Sequence, residues 1–455
     1  MRHSIERGLD TLVDRYAAAC IVPALFVLSV VGVGDVVVVC LLGLLLCLAG
    51  LTKQSARVDL WVLIPLLIYD LACLVSTYAA YGEIVGGYGV THAVFPAIYL
   101  LLSCLEQGER HMLRWSCALW VGAAGAVGIG RFVFQAVTLG RVGRMSGLLG
   151  NPNAMGIFLV LGWFIVMDCA EEDETGRLSS LEPLLLMGTA MTLSMGSFVA
   201  MAAGILVLVA EKNGTQSWGA TIQYACRILA RASLGMGTGL LIFLAGARTD
   251  APWSCLFLLA YGAAVAALWR RYERFLEAKP RMAALIAGLG TLVAAAAVVI
   301  RPSAIATFTE RLEMMASGLR YLTVNPLWGV GPFQWRLLDL NDGGKYFNTW
   351  HIHNTILHVG VEMGWIAMGA LIVVVLRLLS RRSSPPVRAL AAAFLVHNMI
   401  DTSFFYLGVT ALALTAAGGF RTQGPGLLKN GAVKLLFALL AGLFVYGLCY
   451  TVMTR

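Results

Sequence analysis

Charge is what this chain has least of. Only 13% of its 455 residues are Asp, Glu, Lys or Arg, against 59% hydrophobic, whereas an ordinary soluble domain is roughly a quarter charged. Together with a mean hydropathy of +0.79, this excludes a soluble globular protein. Cofactor signals are equally scarce. The ten cysteines include no Cys-x-x-Cys pair, and Cys47, Cys73, Cys117 and Cys255 fall in apolar runs or at their ends, where a thiol serves as a small membrane residue. There is no Gly-rich nucleotide loop, and the candidate loops at 135–152 and 301–353 hold no Asp-x-Asp-like acidic cluster, so neither a nucleotide nor a metal cofactor is expected. The net charge of +8 is not a nucleic-acid signal. Much of it lies in short loops, in pairs such as Arg270-Arg271 and Arg381-Arg382 that flank apolar runs, as positive-inside bias requires.

What the chain does have is long apolar runs. They lie near 17–34, 35–51, 59–80, 90–106, 113–134, 153–169, 232–247, 252–269, 282–300, 354–379 and 434–452. Each is long enough, or nearly so, to cross a bilayer as a helix. Two further stretches, 181–210 and 388–420, exceed one crossing and are interrupted by polar residues, Ser194-Met195-Gly196-Ser197 and His397-Asn398 with Asp401-Thr402-Ser403. Each is a tight helix pair or one helix broken at depth. The expectation is an all-α polytopic membrane protein with about 12–15 transmembrane segments. It divides into a bundle over 1–300 with a polar Arg/Asn-Pro-Asn loop at 135–152, a long loop at 301–353 containing a helix, and C-terminal helices over 354–455. The first run is retained behind a charged amphipathic start, Met1 to Arg15, rather than cleaved. Counting helices from the basic loops puts the N-terminus in the cytoplasm and the stretches 135–152, Ser194 and 301–353 on the opposite face.

In the long loop, Ile305, Phe308, Leu312, Met315, Leu319 and Leu322 alternate spacings of three and four, which predicts an amphipathic helix. Arg311 and Arg320 flank its stripe on opposite sides. Such a helix lies at the membrane surface with arginines near phosphate depth, or packs on the bundle with its arginines in water. Asn325-Pro326 ends it. Beyond the turn comes Trp350-His351-Ile352-His353-Asn354. Histidine suits proton transfer near neutrality without large tuning, and two histidines two apart can chelate a metal in an extended segment, although no second His/Cys pair joins them. Arg141 and Arg144 precede Gly147–Gly156, where Asn151-Pro152-Asn153 opens a helix. Arginine forks suit phosphate oxygens, and a helix start offers them backbone N–H groups. His358 and Glu362 are spaced to pair on one helix face, as are His397 and Asp401 if that stretch is helical. Asp70 lies inside an apolar run, where an acid is either functional or a polar contact of the bundle.

These motifs resemble the O-antigen ligase and polymerase superfamily, bacterial membrane glycosyltransferases with the GT-C type of helical architecture. Arg144-x-Ser146-Gly147 with Asn151-Pro152-Asn153, Arg311 ahead of Pro326-Leu327-Trp328-Gly329-Val330-Gly331, His353-Asn354 separated by nine residues from Gly364 with Glu362 two residues ahead of that glycine, and His397-Asn398 with Asp401 carry the resemblance. Met195 stands where the family often has an arginine, and Ala367 where the ligases prefer Gly, Thr or Tyr.

The resemblance implies a donor glycan on undecaprenyl diphosphate and, as acceptor, a sugar hydroxyl of the lipid A–core oligosaccharide, at the periplasmic face of the bacterial inner membrane. Arg144 and Arg311, with Arg141 and Arg320 behind them, would bind the diphosphate. His353 would deprotonate the acceptor for inverting attack, supported by His351, Asn354, Glu362, Asn151, Asn153, His397 and Asp401, with no metal or other cofactor. Which of His351 and His353 is the base stays open. Polymerisation of O-antigen, protein O-oligosaccharyl transfer and, outside enzymes, lipid or solute transport are the alternatives.

Overall fold

An apolar solvent forces a backbone to satisfy its own hydrogen bonds, and the chain does so by coiling: about 80% of it is helical. The computed structural model describes residues 16–31, 35–140, 142–173, 176–247, 253–299, 302–379, 383–420 and 424–454. Among these, seven helices are long and apolar enough to cross a membrane: Leu60–Tyr81, Gln107–Leu139, Pro152–Ala170, Met195–Asn213, Trp218–Ala247, Thr355–Leu378 and Asn430–Thr454. Shorter apolar helices, including Tyr16–Val30, Val36–Leu51 and Leu407–Gly419, accompany them. Large apolar side chains such as Phe257, Leu292 and Met453 stay exposed on helices, as a hydrocarbon solvent permits. The amphipathic start at Met1 to Arg15 lies outside the described residues.

The chain folds as two compact units that cut across the linear division at 300 and 353. One comprises Met1–Ser116, Glu310–Ser383 and Asn398–Arg455, the other Cys117–Thr309 and Ser384–His397. In the first, Leu60–Tyr81 packs along Thr355–Leu378, and Val36–Leu51 along Asn430–Thr454. There the rings of Phe444 and Phe437 fill the space that a side chain at Gly43 or Gly50 would need, the small-residue packing that lets helices meet in lipid. This unit also holds a feature no hydropathy pattern announces, a two-stranded antiparallel ribbon pairing Ala56–Val58 with Gly426–Leu428. In the second unit, Trp218–Ala247 packs on Leu181–Thr192 and Pro280–Val299, and its Gly239 lies against the Met187 backbone. Its buried Glu182 pairs with Arg231 and accepts from the Trp163 indole N–H at 3.0 Å. A charge so enclosed is tolerable only when paired.

Each of the two overlong apolar stretches holds two helices. Leu181–Thr192 ends at Leu193, held at φ +48°, and Ser194 then caps Met195–Asn213 by accepting from the Ser197 N–H at 3.3 Å. Pro385–Asn398 ends before Asp401, so His397 and Asp401 do not form a helical pair, and Leu407–Gly419 follows a 3-10 turn at Ser403–Phe405.

Candidate active site

The expected amphipathic helix is Pro302–Tyr321, but its buried line is not the expected stripe. Met314, Ser317 and Tyr321 are buried, whereas Phe308, Leu312 and Leu319 are exposed. A polar residue, Ser317, turns inward because it donates to Asp339 Oδ1 at 2.6 Å, and the same oxygen accepts from Arg320 at 2.6 Å. Of the stripe, Phe308, Leu312 and Leu319 stay exposed, as a lipid surface allows, while Met315 and Leu322 pack on the core beside Met314; neither arginine is simply solvated.

Arg311 is drawn the other way. Its Nη1 donates to the Ile400 carbonyl at 2.6 Å and its Nη2 to Asp401 Oδ2 at 3.0 Å. Asp401 Oδ1 accepts from the Thr402 N–H at 2.8 Å and lies 3.8 Å from His353 Nδ1. Arg311, Asp401 and His353 therefore form one cluster, drawn from positions 311 to 401 of the chain. The His353 side chain keeps 17% of its exposure. Burial lowers its pKa below the ordinary 6.5; Asp401 opposes that shift and the Arg311 charge adds to it.

His351 faces elsewhere. Its Nε2 meets the Tyr88 hydroxyl at 3.1 Å and its ring stacks on Phe405 at 4.6 Å. Burial holds its pKa well below the ordinary range, reinforced by His358, His353 and His92.

A local device fixes this segment. Asn354 caps Thr355–Leu378, accepting from the Leu357 N–H at 3.0 Å, and Thr355 donates to Asn398 Oδ1 at 2.9 Å, which also accepts from the Phe404 N–H at 2.7 Å. Ten residues into the helix Gly364 adopts φ 86°, ψ 172° and breaks the ladder. The carbonyls set free are used. Val361 and Glu362 accept from the N–H groups of Val330 and Gly331 at 2.9 and 3.0 Å, and the Trp365 N–H donates to Pro326 at 2.7 Å. A side chain at Gly329 would overlap the Glu362 backbone, and one at Gly364 the Leu327 carbonyl, which is why glycine occupies both places. The Glu362 carboxylate, fully buried, accepts from the N–H groups of Phe333 and Trp335 at 2.8 and 3.3 Å and lies 3.2 Å from His358 Nε2. The Pro326–Gly331 turn and the Glu362–Gly364 kink are thus two halves of one joint. Glu362 builds the loop that carries His351 and His353; it does not face the His353 cluster.

In the other unit, Arg144 donates through Nε to the Thr192 carbonyl at 2.7 Å and through Nη2 to Asn153 Oδ1 at 2.5 Å. Asn151 caps Pro152–Ala170, accepting from the N–H groups of Asn153 and Ala154 at 2.8 and 3.2 Å. His397 is fully buried near the end of Pro385–Asn398. Arg141 lies outside the described residues. Asp70 is buried, and its Oδ1 has no hydrogen-bond partner among the described residues. No group of three His, Cys, Asp or Glu residues that could hold a metal occurs among the described residues. Tyr88 and Asp339, which shape the loop, gave no sequence signal: each is a lone polar residue without a spacing pattern.

No family model matches this chain, and none of the curated proteins matches it either.

Proposed function

We propose that the protein is a membrane glycosyltransferase that moves an O-antigen glycan from undecaprenyl diphosphate to a sugar hydroxyl of the lipid A–core oligosaccharide, with inversion and without a metal. On this reading its bundle has the GT-C architecture, and the site lies on the periplasmic face of the inner membrane. The observation that carries the reading is the Arg311–Asp401–His353 cluster, a partly exposed histidine whose Nδ1 faces a carboxylate held by an arginine.

The chemistry follows from that cluster. Among the described residues His353 Nδ1 makes no hydrogen bond and stands 3.8 Å from Asp401; with the ring proton on Nδ1 drawn to that carboxylate, Nε2 is the nitrogen left to accept the proton of the acceptor hydroxyl. The hydroxyl oxygen then attacks the anomeric carbon as the bond to the diphosphate oxygen breaks. Diphosphate is a good leaving group, so no separate acid is needed. Arg311 spends two of its five N–H donors on Ile400 and Asp401, which leaves donors to stabilise charge growing on the diphosphate. The exposed stripe of Pro302–Tyr321 suits a site that receives its donor from lipid. His353 is favoured over His351 as base, because His351 is enclosed by Phe405, His358 and Tyr88.

Purified protein in detergent, given undecaprenyl-diphosphate-linked O-antigen and rough lipopolysaccharide in EDTA without nucleotide, should produce a ladder of glycan-extended lipopolysaccharide. Lengthening of the lipid-linked glycan alone would replace ligation by polymerisation. A second reading, transport, rests on Asp70, a buried carboxyl inside Leu60–Tyr81; movement of glycan across proteoliposomes with no new covalent linkage would favour it.

A further inference from the structure

Next to the proposed catalytic loop lies an arginine that nothing in the reaction described above uses. Arg336, on Trp335–Asn341, is 8% exposed. Its guanidinium carbon sits 4.4 Å from the centre of the Tyr346 ring and 4.6 Å from that of Trp350. The side chain makes no hydrogen bond or ion pair among the described residues, and its Nε is enclosed without an acceptor. An arginine so deeply set normally answers a carboxylate, as Arg311 answers Asp401. Here two aromatic faces meet the guanidinium instead, and among the described residues the fork is left preorganised but unspent.

The rings themselves are open. Tyr346 is 68% and Trp350 45% exposed, and Trp350 is joined directly to His351 and stands three residues before His353. Exposed aromatic faces beside an unspent cationic fork match a ligand with an apolar flat side and an anionic substituent. A sugar ring offers the C–H face, and a phosphate on it offers the oxygens.

We propose that Arg336, Tyr346 and Trp350 form a subsite for a phosphorylated saccharide, which seats the acceptor so that its hydroxyl comes to His353. The sugar identity of the ligand rests on the glycosyl-transfer reading; the anion preference rests on Arg336 alone.

The full chain in nanodiscs would be titrated with glucose 6-phosphate, glucose 1-phosphate, glucose and inorganic phosphate, with no lipid-linked donor present and binding read by saturation-transfer NMR. A sugar phosphate should bind more tightly than glucose or phosphate. Preference for the 6-phosphate assigns the subsite to an acceptor sugar; preference for the 1-phosphate assigns it to the phosphate-linked end of a donor and overturns the acceptor role. Trp350→Ala and Tyr346→Ala, at exposed positions, should each weaken binding about tenfold with unchanged thermal unfolding. Arg336→Gln should do so at least as strongly, and Arg336→Lys should restore part of the loss because it keeps the charge and not the fork. Sugar phosphate bound no better than phosphate, or binding untouched by all three losses, would overturn the subsite. His353→Ala should leave this binding intact. A chain that binds sugar phosphate through Arg336 but transfers no glycan would keep the subsite and refute the transferase.

Discussion

Two arginines stand near asparagine-capped helix starts, Arg144 in one unit and Arg311 in the other, and the fold treats them differently. Arg144 donates to the Thr192 carbonyl and to the Asn153 amide oxygen, which staples the Asn-Pro-Asn turn to the end of Leu181–Thr192. Arg311 holds a carboxylate whose second oxygen faces a partly exposed histidine. The residue type and the helix-start setting are shared. What sets Arg311 apart is its carboxylate partner, which also faces a group that can carry a proton.

The largest way to break this contrast is His353→Ala. It should reduce transfer about 10²- to 10⁴-fold, the share a positioned base contributes, while thermal unfolding and equilibrium binding of the lipid-linked donor stay unchanged. Equal loss of donor binding would make His353 part of the fold and leave the cluster without a base. Glu362→Ala should act through stability. It strands a buried His358 partner and two backbone N–H groups, costing about 3–5 kcal/mol, and should appear as a large fall in unfolding temperature in detergent. A small fall would mean that the joint between 326–331 and 361–365 does not hold the loop. Gly364→Ala forces a Cβ into a left-handed residue against Leu327 and should cost about 1–3 kcal/mol. At the other arginine, Asn151→Ala removes a helix cap, worth about 1 kcal/mol, and should leave the pH dependence of transfer untouched. A changed pH profile there would erase the distinction between the two regions.

Much of the fold was legible because lipid imposes one rule on every span, and runs such as 59–80 and 354–379 became the helices Leu60–Tyr81 and Thr355–Leu378. The ribbon at Ala56–Val58 escaped because three-residue strands have no period long enough to read. The loop helix was found, but periodicity left open whether its stripe met lipid or the bundle. Phe308, Leu312 and Leu319 stay exposed, and the hydrogen bond of Ser317 to Asp339 fixes the face that turns inward. At the site, spacing identified His353, Arg311, Glu362 and Asp401 individually. It could not tell that Asp401 joins Arg311 and His353 while Glu362 holds the Phe333–Trp335 turn, since that partition depends on contacts far apart in the chain. Arg336 was invisible for the same reason: its two rings come from the loop beyond its own helix.

The most direct test of the coupling is the pH dependence of transfer, measured as kcat/KM for the natural chain and for Asp401→Asn. A base must be neutral to act, so transfer rises with pH through the histidine pKa and then levels. Burial lowers that pKa, so the acid limb of the profile should be centred below pH 6.5. Because Asp401 raises the His353 pKa against burial, Asp401→Asn should move the acid limb to still lower pH, with a reduced plateau as Arg311 loses its partner. A limb centred above 6.5, or one that Asp401→Asn leaves in place, would contradict the assignment of His353 as the base of an Arg311–Asp401–His353 cluster.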